Sequence, residues 1–399
     1  MGRKRIPWAL VGCTSLVVAA CSSEEPSEVT TVQDSAGVAI VTVFDRPAIS
    51  TIDVDSMPVL RIGGKAEGQT LYRVADAIRA GDGSVVVADG ASREIRFFDS
   101  DGSLERVVGG EGEGPGEFDR FASLSPYRGD SLFVFDSWLR RATIYDAQGE
   151  FGRVLTLDPG IQARDLLPVG GESLLGIPWS LETFDKVEGP YRLPYYLVVM
   201  TSNGAVIDTA LTVPGSGGYK VPNEAGGYRD LAPLYILNAH VAASGLGGVV
   251  GSGERWEFAR LDVNGRVRQI VRVPWMDRSL TTEEIERERA AMVRPQSSAD
   301  YRAIVARMEA PELRPAYGDL LLASNGWVWA AEYRSLRTEV DNPVRWLVFD
   351  ESGAPVGRAT TPSRFTLFEV GDEHLVGVRR DSLDVETVEV LSWALRPPT

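Results

Sequence analysis

Cysteine and histidine are almost missing, with two of each in 399 residues. So few thiolates and imidazoles exclude most zinc-type ligand sets and leave a histidine-dependent mechanism short of groups. A basic excess is missing too. Asp and Glu number 56 against 41 Lys and Arg, a formal net charge of −15, which argues against nucleic-acid binding and its clustered basic footprint. Long apolar runs are absent after the first twenty residues, so nothing in the body is built to span a bilayer as a helix. Turn formers are plentiful: 41 Gly and 23 Pro accompany 44% hydrophobic residues. That combination buries a large core while breaking the chain often, as an all-β protein requires.

The N-terminus reads as an address. Arg3, Lys4 and Arg5 precede a mostly apolar stretch from Ile6 to Ala20, shorter than the ~20 residues of a spanning helix. It ends in Val18-Ala19-Ala20-Cys21, followed by the polar Ser22-Ser23-Glu24-Glu25. This resembles the lipobox of bacterial lipoproteins. The resemblance implies that residues 1–20 are a signal peptide, that Cys21 carries the lipid, and that residues 21–29 are a tether. An ordinary secretory signal, with Cys21 incidental, is the alternative. Cleavage would also remove Cys13, leaving no pair for an intrachain disulfide. Ser22 and Ser23 lack the aspartate that retains some lipoproteins at an inner membrane. The resemblance therefore implies an outer-membrane anchor facing the periplasm.

The body repeats. Val85–Asp89 and Ile95–Asp99 lead to a turn at Asp99-Ser-Asp-Gly102, and Leu132–Asp136 and Thr143–Asp146 lead to Asp146-Ala-Gln-Gly149. Both Asp-to-Asp spacings are ten residues, and Gly102 lies 47 residues before Gly149. Similar turns recur at Gly204, Gly265 and Gly353. In each unit a Val-rich run without charge fits a strand buried on both faces, and a mixed Arg/Glu/Val run fits an outer strand. The glycine supplies the positive φ of a tight turn. Quartets of strands at 40–50-residue intervals predict an all-β, six-bladed β-propeller over residues 30–399. The sixth blade, from Arg364 to Leu395, lacks a fourth strand, so Pro58–Gly63 is expected to close it.

Val87-Ala-Asp89 with Arg93-Glu-Ile-Arg-Phe-Phe-Asp99 and the Gly109–Phe118 segment is similar to the NHL-repeat pattern. The chain resembles six-bladed propeller lipoproteins of bacteria, which open on an Asp-Ser-x-Gly-Val hairpin like Asp34–Val38. The resemblance implies the fold and leaves the activity open.

Insertions fall on the face that carries the second-to-third strand turns and the inter-blade connections. They are Trp179–Pro194, between the second and third strands of blade three, the Gly-rich Pro214–Asp230, read as the link between blades three and four, and Thr281–Pro315, between blades four and five. The last predicts two helices, from the capping box Thr281-x-x-Glu284 and the stripe Tyr301, Ile304, Val305 and Met308. They are either packing decoration or a lid or partner surface.

Aligned inner strands place Asp76, Asp165 and Asp319 on alternate blades near Ser123, His240 and Thr366. Three converging carboxylates could hold Ca²⁺; alternatively each caps local backbone. Asp89, Asp136 and Glu332 end second strands, where a carboxylate can accept loop N–H bonds. Arg93 and Arg140 follow at four residues and could pair with them or rim a mouth for anions. Trp138 and Trp179 are the expected aromatic contacts of the loop face. Gly109–Gly116 lacks the Lys-Ser/Thr of a phosphate loop and carries acids instead. No nucleophile–base pair stands out. The expectation is a lipid-anchored envelope propeller that binds a protein, peptide or glycan through its loop-rich face. A Ca²⁺-dependent hydrolase or lactonase and a structural scaffold are the alternatives.

Overall fold

The computed structural model describes residues 30–45, 49–64, 70–158, 160–170, 172–178, 188–223 and 226–397. The signal segment, the tether with Cys21, and Trp179 lie outside these residues. The described chain forms six blades arranged in a ring, the fifth and sixth joined in one sheet. Blades one to six take their inner strands from Val74–Arg79, Phe121–Tyr127, Ala163–Val169, His240–Ser244, Tyr317–Leu322 and Phe365–Val370. Inner strands of neighbouring blades contact one another all the way round, including blade six to blade one.

The charge-free second strands explain themselves in this arrangement. In Val85–Asp89 every residue is buried. Val85 and Val87 pack on Val376, Val378, Val388 and Val390 of blade six, whereas Val86 and Ala88 pack on Leu124, Leu132 and Val134 of blade two. The two-residue period of a strand thus feeds two inter-blade cores at once, each fully buried Val contributing about 1.5–3 kcal/mol. At the outer turns Asp99 Oδ1 accepts from the backbone N–H of Asp101 at 2.9 Å and Ser103 at 2.8 Å, with Gly102 at φ +82°. Asp146, Asp262 and Asp350 repeat that pattern with Gly149, Gly265 and Gly353.

Closure is as expected from Pro58–Gly63. Leu60–Gly63 pairs antiparallel with the third strand of blade six, Leu60 opposite Val390 and Ile62 opposite Val388. Among the described residues, however, only blades one and two are plain quartets. The N-terminal hairpin, Thr30–Ser35 with Val38–Val43, adds to the edge of blade four by parallel pairing of Ile40 with Ile270. Ser50–Val54 then lies parallel to the edge of blade five and antiparallel to Trp393–Arg396 at the end of blade six's third strand. These additions cover edges that would otherwise offer unpaired backbone groups to other chains.

Blade three departs furthest from expectation. The Gly-rich stretch is not a linker: Gly189–Thr201 and Val206–Pro222 form a long hairpin, and Tyr228–Leu231 adds a fifth strand. The helices are where the caps put them, α1 at Thr282–Met292 and α2 at Ala299–Arg307, with both halves of the Thr281/Glu284 capping box formed. Ile304, Val305 and Met308 are buried against Tyr219, Val221, Leu234 and Tyr235. No helix among the described residues is long and apolar enough to cross a membrane.

Candidate functional site

Inner strands of blades one, two, three and five carry the same β-bulge. Pairing shifts between Val74 and Asp76, Phe121 and Ser123, Ala163 and Asp165, and Tyr317 and Asp319, always beside the end of the second strand. One extra residue re-aims the next side chain, and the four residues so placed are Asp76, Ser123, Asp165 and Asp319. All four line one central cavity of about 720 Å³, together with Thr366 and Glu369. The expected grouping is therefore present, and its walls below are apolar, with Leu124, Leu167, Leu321 and Phe368.

Their chemistry is mostly local. Asp76 accepts from Ala77 N–H at 2.9 Å and, across the blade boundary, from Leu124 N–H at 3.0 Å. Asp165 and Asp319 accept from the next residue's N–H, each at 2.8 Å. Asp319 also faces His240 Nδ1 at 3.5 Å. Burial pushes the Asp76 carboxyl up to about 7, against the lowering effect of its two backbone donors, and the charges of Asp165 and Glu369 add to the rise. Burial likewise raises Asp165, against the hydrogen bond from Ser123. Among the described residues no three carboxylates, imidazoles or thiols converge as a metal-binding group. The three aspartates share a channel without forming the oxygen cage that Ca²⁺ takes.

The second-strand carboxylates act as brackets. Asp136, fully buried, accepts four backbone N–H bonds: from Trp138 at 2.9 Å, Leu139 at 2.8 Å, Asp119 at 2.7 Å and Arg120 at 2.9 Å. Asp89 does the same with Ala91 at 3.1 Å, Ser92 at 3.3 Å and Tyr72 at 3.4 Å. Glu332 departs from this pattern, being held by Arg345 Nε at 2.6 Å.

Arg93 does not pair with Asp89. Its guanidinium reaches across to Asp119 O at 2.8 Å and Glu111 at 2.7 Å, because the residue sits at φ +59° in the turn and its side chain leaves toward blade two. Arg96, three residues on, is the one that approaches Asp89, at 3.4 Å. Arg140 holds the same left-handed turn position at φ +53°, and its carbonyl accepts from Leu157 N–H. Trp138 is 66% exposed with the Arg120 guanidinium 5.6 Å from its ring centre.

Residues that motif reading passed over lie at these brackets: Tyr72, held by Asp89, its neighbour Arg73, and Arg120, held by Asp136. A signal was present. Arg73 precedes Asp89, and Arg120 precedes Asp136, by the same sixteen residues, and in each case an apolar residue follows the arginine.

Residues 68–233 match a family model, DUF5128, described as a 6-bladed beta-propeller. Among solved structures, a protein of Bacteroides fragilis described as exported aligns at TM-score 0.50 and 11% identity, covering 90% of this chain and 99% of its own. A DUF4221 member from Bacteroides vulgatus aligns at TM-score 0.50 and 11% identity, over 87% and 99%. At that identity the likeness concerns fold alone. No curated protein matches the chain.

Proposed function

We propose that this six-bladed β-propeller is a binding module of the bacterial cell envelope, tethered by lipid on Cys21 and engaging a protein, peptide or glycan through its loop-built face. The observation that carries the reading is the construction of that face. The long hairpin of blade three, both helices and the 333–340 segment are not independent loops; they share a core around Tyr219, Tyr235, Ile304 and Met308. Arg337 fastens them further by donating to Leu234 O at 2.6 Å and Pro233 O at 3.0 Å. A preorganised surface loses little conformational freedom on binding, which is what favours affinity. The opposite face consists largely of short Asp-x-x-Gly turns whose donors and acceptors are already used. The description of one structural neighbour as an exported protein is in keeping with the lipobox-like leader. The hydrolase alternative needs a converged donor set, which Asp76, Asp165 and Asp319 do not make.

From Thr30 onward the chain has no cysteine, so single cysteines can be placed at will. Ala91→Cys and Leu336→Cys lie on the loop-built face and Ser100→Cys on the opposite one. Each is blocked with a bulky maleimide, and capture from solubilised bacterial envelope is read by protein mass spectrometry and sugar analysis. Blocking on at least one half of the loop-built face, at Ala91 or at Leu336, but not at Ser100, should abolish capture. Loss only with the Ser100 label, or capture indifferent to all three, would overturn the assignment.

A further inference from the structure

Resting on that binding-face reading, we infer that the part of the face that meets the ligand is its uncovered half, an arginine–aromatic strip over blades one and two, and that the ligand is a uronate-bearing acidic glycan.

The strip is continuous in the structure. Tyr72 O accepts from Ala91 N–H at 3.1 Å, which ties the entry of blade one to its own turn. Arg93 of that turn donates to Asp119 O at 2.8 Å, tying it to the entry of blade two. Asp136 then holds the backbone of Arg120 and Trp138 together. Arg73 and Arg120 occupy the same position, one residue before the inner strand of adjacent blades, each carbonyl accepting from the residue just after the second strand, Gly90 and Ser137. In blades three, four and five that position is Gln162, Ala239 and Ala316; in blade six it is Arg364, already paired with Asp341.

What distinguishes Arg73 and Arg120 is that no carboxylate neutralises either among the described residues. Arg73 is exposed and makes no side-chain bond, ion pair or ring contact there, and Arg120 touches only the Trp138 ring. Two uncommitted guanidinium groups on a chain of net charge −15 select for an anion, and a guanidinium matches a carboxylate's two oxygens better than a point charge does. Beside each stands a flat exposed ring, Tyr72 at 62% and Trp138 at 66%.

The shape of the site decides between sugars and side chains. The cleft of about 620 Å³ next to Tyr72 and Arg73 is otherwise lined by Val74, Arg380, Asp384 and Glu386. Val74, its one aliphatic residue, is buried. Such a cleft has nothing to receive an apolar anchor residue of a peptide. It suits a hydroxylated ring that lies on an aromatic face and presents its carboxylate to arginine.

Binding of oligogalacturonate and of an alginate oligomer to the full chain, measured by calorimetry, tests this, with a neutral oligosaccharide of equal length and polyglutamate as comparators. Both uronates should bind, more weakly as salt is added, and neither comparator should match them. Arg73→Ala and Arg120→Ala should each weaken binding about tenfold, with Arg73→Lys intermediate and melting unchanged throughout. No uronate binding, equal binding by polyglutamate, or affinity indifferent to both alanine variants overturns the inference. If uronates fail while the Ala91 label still blocks envelope capture, the glycan is wrong and the binding face stands.

Discussion

Two halves of one face use arginine in opposite ways. Over blades three to five several arginines are spent on construction. Arg289 closes the last turn of α2 by donating to Val305 O and Met308 O, each at 2.6 Å, and Arg307 pairs with Glu188 at 2.9 Å. Over blades one and two the side chains of Arg73 and Arg120 hold no carboxylate among the described residues, and it is carboxylates that order their surroundings: Asp89 holds the backbone of the neighbouring Tyr72, and Asp136 that of Arg120. An insertion that must be stapled down consumes its polar groups; a strip built on bracketed backbone leaves its side chains available. The contrast also reverses an intuitive reading of the carboxylates. A buried Asp with four N–H partners is chemically saturated, and its effect on function is to position the residues it holds.

The comparison can be broken or sharpened by substitution. The largest effect should come from the ring itself. Ile62, on the closing strand, is fully buried against blade one, so Ile62→Ala should cost about 3–4 kcal/mol in denaturant unfolding. A value near zero would mean that the ring does not depend on its closing strand. Asp136→Ala removes a buried carboxylate from four part-buried N–H groups and should cost about 3 kcal/mol. Asp89→Ala, whose bonds are longer, should cost less, and the reverse order would undo the bracket account. Arg289→Ala should cost about 2 kcal/mol, since charge-assisted bonds to three carbonyls are lost.

Asp76 provides a pH test. Its folded carboxyl titrates near 7, above its unfolded value of 3.8, so the folded state binds the extra proton between these limits. Stability from this group is fully present below the unfolded value and is lost as pH rises through about 7. Asp76→Asn should flatten the decline in melting temperature across that window, and an unchanged slope would exclude Asp76 as its source. The smallest effect belongs to Arg73→Ala, within about 0.5 kcal/mol, because an unpaired exposed side chain supports nothing. A cost as large as that of Arg289→Ala would show that Arg73 is structural after all.

Much of this architecture was readable in advance because it is local. The Asp-x-x-Gly turns close on themselves within four residues, the capping box spans three, and the stripe ending at Met308 follows one helical face. Closure by Leu60–Gly63 was legible by subtraction, since blade six ran short of a strand. What was hidden is non-local. Nothing near Thr30–Val43 announces parallel pairing with Val267–Arg272, and the Gly-rich run of blade three looked like a linker because its cross-strand partners are in the same hairpin only once folded. Asp76, Ser123, Asp165 and Asp319 aligned correctly because four bulges repeat. Of the two readings of Arg93, the pairing with Asp89 is not formed, because the left-handed turn sends its side chain toward Asp119 and Glu111, which spacing alone does not reveal. Cys21 and Trp179 remain sequence expectations, outside the described residues.

Hydrogen–deuterium exchange of the full chain, with and without oligogalacturonate, tests the division of the face most directly. Slowed exchange confined to residues 70–93, 119–140 and 380–386, with α1 and α2 unaltered, is the result this account requires. Protection over residues 282–307, or on the Asp-x-x-Gly turns of the opposite face, would contradict it.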